Sequence, residues 1–420
     1  MTKRTLTAVS AAAALAAALL PMTSEAVPAF ARQTGKTCLT CHFQNFPILN
    51  AYGQEFKAGG FVDIGKQGQI KGPDLSIPET LNMAMVGKWR AVSTNDSAKT
   101  TEYGIPDEFG FLIGGRAAAN VGYLVEASTV ASPALAGFKM PITVAKTEGG
   151  TRFTVVPFAT GGIGAGYGME LLNTGAVANV RPFEHGFATS AMQYVNGEYS
   201  AWGLTGVASS QDFFVNVSRW TPQWNPAGVK GSPDANYIRA AWLGNVMGFE
   251  SGAGVQIFSG TVTAVDALAS TSANTGGAAG STFDVKSTAV DFQAQGSVAA
   301  MPLGIWASYA NAPKSTGTAV NFFNNSTVSD KSAIAIGAQL GAFHHAAVKL
   351  GFRKATDGQG MIDNAVTVGA NYHLAQNLGL LIEHSIFSQG NNIQSRQGVD
   401  ANGNPTGGNA RTTVMLETAF

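Results

Sequence analysis

The sequence has 420 residues, of which 51 are glycine and only 12% are charged, with Lys plus Arg and Asp plus Glu equal at 26 each. That balance gives no electrostatic reason to expect a nucleic-acid partner or an anionic surface, and so little charge with so much glycine is unlike a cytosolic enzyme. The composition fits a β-rich protein whose strands are apolar on one side only.

The chain opens with Lys3 and Arg4, passes through a small apolar segment over about residues 6–20, and reaches Ser24-Glu25-Ala26, a small-x-small cleavage site. Residues 1–26 therefore read as a secretory signal peptide; the alternative, a retained anchor, is disfavoured by a short, Ala-rich segment. No later run approaches the roughly 18 apolar residues that a membrane-crossing helix needs, which excludes an inner-membrane helical protein.

Residues 27–79 contain Cys38-Leu39-Thr40-Cys41-His42, a C-x-x-C-H motif made from the only two cysteines in the chain. Two thiols at this spacing can form thioethers with the vinyl groups of a haem, and the adjoining His42 can reach its iron as axial ligand. Export agrees with that chemistry, because attachment is completed beyond the inner membrane. A disulfide, a redox C-x-x-C pair or half of a zinc site are the competing readings. The last lacks further cysteines, and a redox pair has no need of the following histidine. Phe43, Phe46, Pro47, Ile48, Leu49, Tyr52, Phe56 and Phe61 supply apolar surface for a porphyrin, and the spacing of 48, 49, 52 and 56 predicts a helix ended by Gly59-Gly60. So short a monohaem cytochrome c module has little core of its own, and one covalent haem c is expected to act as that core.

The second axial ligand is left open. Between residues 27 and 82 there is no methionine and no histidine but His42. Met83 and Met85 come next, yet they alternate with Leu81 and Trp89 on one face of a strand while Asn82, Lys88 and Arg90 occupy the other, so both point toward lipid. Asn45, Asn50, a barrel histidine or an open position are the remaining candidates.

From residue 80 to 420 the texture becomes strands of about ten residues in loose alternation, broken by Gly, Asn, Ser and Pro clusters. Tight turns are predicted near 119, 209, 248, 296, 343 and 375, and long polar connections over 93–107, 221–235, 261–283, 311–331, 354–363 and 388–410. Alternation of this kind belongs to a transmembrane antiparallel β-barrel in outer-membrane lipid, with short turns on the periplasmic side. The last residues alternate Thr412, Val414, Leu416, Thr418 and Phe420 against Arg411, Met415 and Glu417, as expected of a closing strand. Three strands are placed between 81 and 127 and eleven between 199 and 420. An even total then requires two strands in the unresolved stretch 130–195, giving sixteen, or four, giving eighteen.

At this point the chain resembles a known family, the fused monohaem cytochrome and porin proteins called outer-membrane iron-oxidising cytochromes. The matching residues are Pro28-Ala29-Phe30-Ala31-Arg32-Gln33-Thr34-Gly35, the C-x-x-C-H motif, Phe46-Pro47, Leu49-Asn50, Tyr52-Gly53 and Phe56-Lys57-Ala58-Gly59-Gly60. A second block runs Tyr167-Gly168-Met169-Glu170-Leu171-Leu172-Asn173-Thr174-Gly175-Ala176-Val177, followed by Arg181-Pro182-Phe183-Glu184. Some members carry an Arg after the helix glycine, where this chain has Gly53-Gln54. The resemblance implies a haem module in or under a sixteen-stranded barrel, with Cys38 and Cys41 as thioether attachments and His42 as axial ligand. It also implies one-electron oxidation of extracellular Fe(II), with a soluble periplasmic electron carrier as acceptor.

A transport porin whose haem module is a plug or sensor, and a conduit running electrons outward, are the rival functions. His344-His345 reads as a solvated turn pair, and His373 and His384 as strand residues at the lumen or an interface. Asp107 and Glu108 read as carboxylates flanking a long outer loop, able to attract Fe(II) but more simply there to solvate it.

Overall fold

The computed structural model describes residues 28–73, 76–95, 101–130, 135–175, 183, 189–222, 224–225, 228–229, 231–264, 280–343, 345–388 and 408–420. The expected signal peptide and His344 lie outside the described residues.

Three short helices come first: α1 (Pro28–Thr34), α2 (Cys38–Cys41) and α3 (Ala51–Ala58). α3 starts later than the apolar spacing predicts because Asn50 is its cap, its side chain accepting a hydrogen bond from Gly53 N. It ends at Gly59, followed by Gly60 at φ +77°. A two-stranded hairpin, Gln69–Lys71 with Ser76–Pro78, leads to the barrel.

Sixteen antiparallel strands close that barrel. They are β1 (Met83–Thr94), β2 (Thr101–Ala118), β3 (Val121–Ser128), β4 (Leu135–Lys139 and Ile142–Lys146), β5 (Arg152–Thr160), β6 (Ala201–Ser209), β7 (Phe213–Thr221) and β8 (Ala235–Val246). Then follow β9 (Phe249–Thr263), β10 (Thr282–Asp284 and Ser287–Val298), β11 (Met301–Ala312), β12 (Lys331–Phe343), β13 (Ala346–Asp357), β14 (Ala365–Ala375), β15 (Leu378–Phe387) and β16 (Ala410–Ala419). Each strand pairs with its sequence neighbours, and β16 pairs with β1 from Arg411↔Thr94 to Ala419↔Val86. Phe420 extends the seam, its N donating to Met85 O at 3.0 Å. The stretch 130–195 supplies two strands, β4 and β5, so the even count resolves to sixteen rather than eighteen.

Among the described residues the short turns at 119–120, 147–151, 210–212, 247–248, 299–300 and 376–377 lie at one end, and the strand ends that the longer connections join lie at the other. β1 runs to Thr94 and β2 begins at Thr101, both inside the loop predicted over 93–107. Asp107 and Glu108 consequently sit on β2 rather than beside a loop, bound to Arg90 at 2.9 Å and to Lys88 at 2.7 Å.

The turn predicted near 296 falls instead at Ala299-Ala300, both with positive φ (49° and 64°). Gly296 stays in β10, where a Cβ would meet the Phe249 ring at 2.8 Å. Non-glycine residues in the left-handed region are strained by about 1 kcal/mol or more each. The paired substitution Ala299→Asn with Ala300→Gly, which supplies the favoured two-residue turn, is expected to raise the thermal midpoint of the detergent-solubilised barrel by a few degrees. Gly296→Val is expected to lower it.

Along β13, Val348, Leu350 and Phe352 are 49%, 58% and 43% exposed on the outer face, while Lys349 and Arg353 are buried on the inner one. An apolar exterior around a polar interior is the inverse of a soluble domain and the signature of strands facing lipid. The hydrocarbon-facing alternation expected of β1 is present: Met83 is exposed, whereas Asn82 and Lys88 are buried.

The lumen is filled in layers by described residues. At the turn end sit α1–α3. Ala58 of α3 packs there with Met169, Leu171, Leu172, Val207 and Phe214. At the loop end the segment between β5 and β6, with its short helix α4 (Ala191–Asn196), packs Met192, Tyr194, Val195 and Tyr199 against Trp220, Phe258, Phe322 and Phe323.

Candidate functional site

The C-x-x-C-H motif is held between α3 and the barrel wall. Cys38 and Cys41 share one helical turn, and His42 N donates to Cys38 O at 2.9 Å, ending that turn. Asn50 fastens the motif to α3: its Nδ2 donates to Thr40 O at 3.1 Å and Leu39 O at 3.2 Å, and its backbone N to Cys41 O at 3.0 Å. A Cβ at Gly53 would stand 2.2 Å from Cys41 O, so only glycine lets α3 lie this close.

The barrel wall completes the clamp. Asn173, in the segment after β5, accepts from Leu49 N at 2.8 Å and donates to Leu49 O at 2.9 Å. Gln295 Nε2 donates to the same Leu49 O at 3.0 Å, and Gln44 Nε2 donates to Pro302 O at 2.8 Å. Gln339 Nε2 donates to Gln44 Oε1 at 2.6 Å and Asn45 Oδ1 at 2.7 Å. Bonds of this kind between partly buried groups each add about 1 kcal/mol and fix the module's orientation.

Cys41 and His42 open onto a cavity whose bounded space, solvent-open mouth included, is about 1140 Å³. Phe46, Pro47, Leu49, Phe56 and Phe61, expected from the sequence, line it. Phe43, Ile48 and Tyr52 do not, while Phe30, stacked on Phe61 with centroids 4.9 Å apart, does. So do Leu112, Leu124, Ile163, Leu171 and Leu172 from the barrel side. A second, smaller cavity adjoins Cys38, Asn45, Phe46 and Pro47 and is walled by Tyr372, His373 and Leu380.

His42 is buried, which drives its pKa down to about 4 against a weaker upward pull from the Ile48 and Pro47 backbone, and its Nδ1 has no hydrogen-bond partner. The imidazole is therefore neutral at any ordinary pH, the form that ligates metal. Cys38 and Cys41 are not joined as a disulfide. Burial raises the Cys41 thiol above its usual range, with Lys36 opposing, whereas redox C-x-x-C pairs depend on a lowered one. Among the described residues no group of three or more His, Cys, Asp or Glu side chains is arranged to hold a metal ion. Paired thiols on one turn, a neutral buried imidazole with a spare nitrogen and an aromatic enclosure fit a covalently attached porphyrin.

None of the four weak candidates for the second ligand lines the His42 cavity. Met83 faces outward, 40% exposed, and Met85 shares its side of β1. Asn45 is committed to Gln339 and to Phe46 O, and Asn50 to the motif backbone. The polar groups that do line it, besides Cys41 and His42, are Thr34, Lys36, Lys57, Glu126, Lys139, Tyr167, Glu170 and Asn173, several of them brought in by barrel strands remote in sequence. Of the other histidines, His345 accepts from His373 N through its backbone at 2.8 Å, and His384 Nδ1 lies 2.8 Å from Thr412 Oγ1.

These features define a transmembrane barrel of outer-membrane architecture with a helical C-x-x-C-H module seated in its turn-side mouth. Among solved structures the fold is similar to OmpT, an outer membrane protein of Vibrio cholerae, at 11% identity over 84% of this chain and 100% of that one, with a TM-score of 0.49. It is also similar to Salmonella typhi OmpF in complex with daunomycin (12%, 84% and 100%, 0.47) and to Pseudomonas putida OprB (14%, 81% and 94%, 0.48). No protein-family model matches the chain, and no curated protein does.

Proposed function

We propose that this protein is an outer-membrane c-type cytochrome fused to a porin-like barrel, of the iron-oxidising family it resembles. Its role is to oxidise extracellular Fe(II) and to conduct the electron to a soluble periplasmic carrier. The observation that carries the reading is the C-x-x-C-H turn clamped inside the turn-side lumen, with a neutral His42 facing an aromatic cavity. When bound, a c-type haem supplies a reversible one-electron centre.

The chain's own residues do the rest. Cys38 and Cys41 fix one edge of the porphyrin, His42 offers an uncharged ring nitrogen, and Phe30, Phe46, Phe56 and Phe61 exclude water and so tune the potential by burial. Ferric product is insoluble at neutral pH, which favours oxidation at the cell surface, and a hydrocarbon layer of about 25 Å separates that surface from a periplasmic acceptor. A module seated within the barrel shortens the gap. A one-electron transfer asks for no acid, base or nucleophile, and none is assigned.

The test is optical. Anaerobic Fe(II) added to the purified, detergent-solubilised protein is expected to convert the ferric haem spectrum to the ferrous one; a haem that stays oxidised at a large excess of Fe(II) overturns the reading.

A further inference from the structure

Beyond the aromatic face of the module, the wall of the His42 cavity turns cationic. Lys57, from the last turn of α3, and Lys139, on β4, are 9% and 3% exposed, and their ammonium groups act on one another electrostatically. Two like charges sharing a desolvated space are unfavourable unless negative charge joins them. The carboxylates that act on Lys57 are Glu126 and Glu170, yet Lys57 makes no ion pair with any described residue. Glu170 is already committed, accepting from Arg239 Nε at 3.0 Å and from Leu172 N at 2.9 Å. Lys57 is accordingly pulled down to about 8 by burial, so it is poised to gain from an anion.

Lys139 shares the charge of Glu126 with Lys57, and its Nζ donates to Tyr167 O at 2.8 Å and lies 3.8 Å from the centroid of that ring. Those contacts leave two of its three protons free. The Tyr167 hydroxyl is buried, lines the same cavity and lies against Glu126 without a well-formed hydrogen bond. One cavity thus joins a porphyrin-attachment motif to two buried ammonium groups with donor capacity to spare and a loosely held phenol, against the single shared carboxylate of Glu126. A c-type porphyrin carries two carboxylate arms, which need buried donors once the macrocycle leaves water.

We propose that Lys57, Lys139 and the Tyr167 hydroxyl form the seat for the two carboxylate arms of the porphyrin attached at Cys38 and Cys41. The assignment rests on the haem reading above. Removing cations near the iron favours its ferric state, so Lys57→Gln and Lys139→Gln, purified with haem, are each expected to lower the midpoint potential and shift the infrared carboxylate bands of the porphyrin. Haem content per chain is expected to stay at one, and Lys57→Arg to restore the parent potential. Lys314→Gln, an exposed lysine outside the cavity in the connection after β11, is the control and is expected to change neither signal. If a lysine variant fails to assemble, Tyr167→Phe, which deletes a single oxygen, is read in its place and is expected to move the carboxylate bands.

Potential and bands unchanged in the assembled variants, or bands unchanged in Tyr167→Phe, overturn the seat while leaving the cytochrome reading intact. Parent protein free of porphyrin overturns that reading itself, and the seat with it.

Discussion

Removing residues 28–79 is expected to leave the barrel closed to ions in planar bilayers. The notion that a haem module alone corks a transport pore requires the lumen above it to be open, and described residues occupy it. Met192, Val195, Trp220, Phe322 and Phe323 are at most 1% exposed, locked by edge-on ring contacts such as Trp220–Phe322 at 6.1 Å and Phe258–Phe323 at 5.2 Å. α4 is pinned to the wall, with Ser287 Oγ donating to Asn196 Oδ1 at 2.8 Å and the Arg353 guanidinium 4.4 Å from the Tyr194 ring centroid. Sixteen strands leave an aqueous channel only where nothing fills them, so excising residues 162–198 in addition is expected to raise single-channel conductance on the order of tenfold or more. Open-pore steps in the intact chain would favour the transport porin instead.

How far the sequence predicts the barrel depends on which device sets each element. Period-two alternation over 331–387 is legible because every second residue meets lipid. The stretch 130–195 is not: Met140-Pro141 splits β4, Pro157 sits inside β5, and the segment after it is apolar for reasons of lumen packing. The turn at Ala299-Ala300 escapes because alanine carries no turn signal, whereas nearby Gly296 carries a false one.

At the site, chemistry on contiguous residues is legible and chemistry assembled through space is not. Cys38, Cys41 and His42 are singled out by spacing alone as the residues expected to hold a haem. Lys57, Lys139 and Tyr167 do not, since only barrel closure brings α3, β4 and the segment after β5 to one cavity. The block from Tyr167 to Gly175 that carries part of the family resemblance is the part of that segment which touches the module, through Asn173, and the barrel's buried ion cluster, through Glu170. Residues 176, 177, 181, 182 and 184 of the same resemblance lie outside the described residues.

That ion cluster carries the second large expectation. Arg239 donates to Glu170 Oε2 at 3.0 Å through Nε and to Asp291 Oδ2 at 2.6 Å, and the three side chains are wholly buried. Thr174 Oγ1 and Gln256 Nε2 also donate to Asp291, at 2.7 and 3.1 Å. One guanidinium therefore bridges two carboxylates between the apolar layers, tying the inner segment to the wall through its fork. Arg239→Met strands both carboxylates without water, and loss of one partner from a buried pair costs about 3–5 kcal/mol. Lysine keeps the charge but not the fork, so Arg239→Lys is expected to fall between the two. Adding Glu170→Gln and Asp291→Asn to Arg239→Met removes the stranded charge and is expected to recover most of the loss, a strongly non-additive result in thermal unfolding followed by strand circular dichroism. If the single and triple variants unfold together, the cluster does not act as a coupled ionic unit, and the inner segment is held by apolar packing alone.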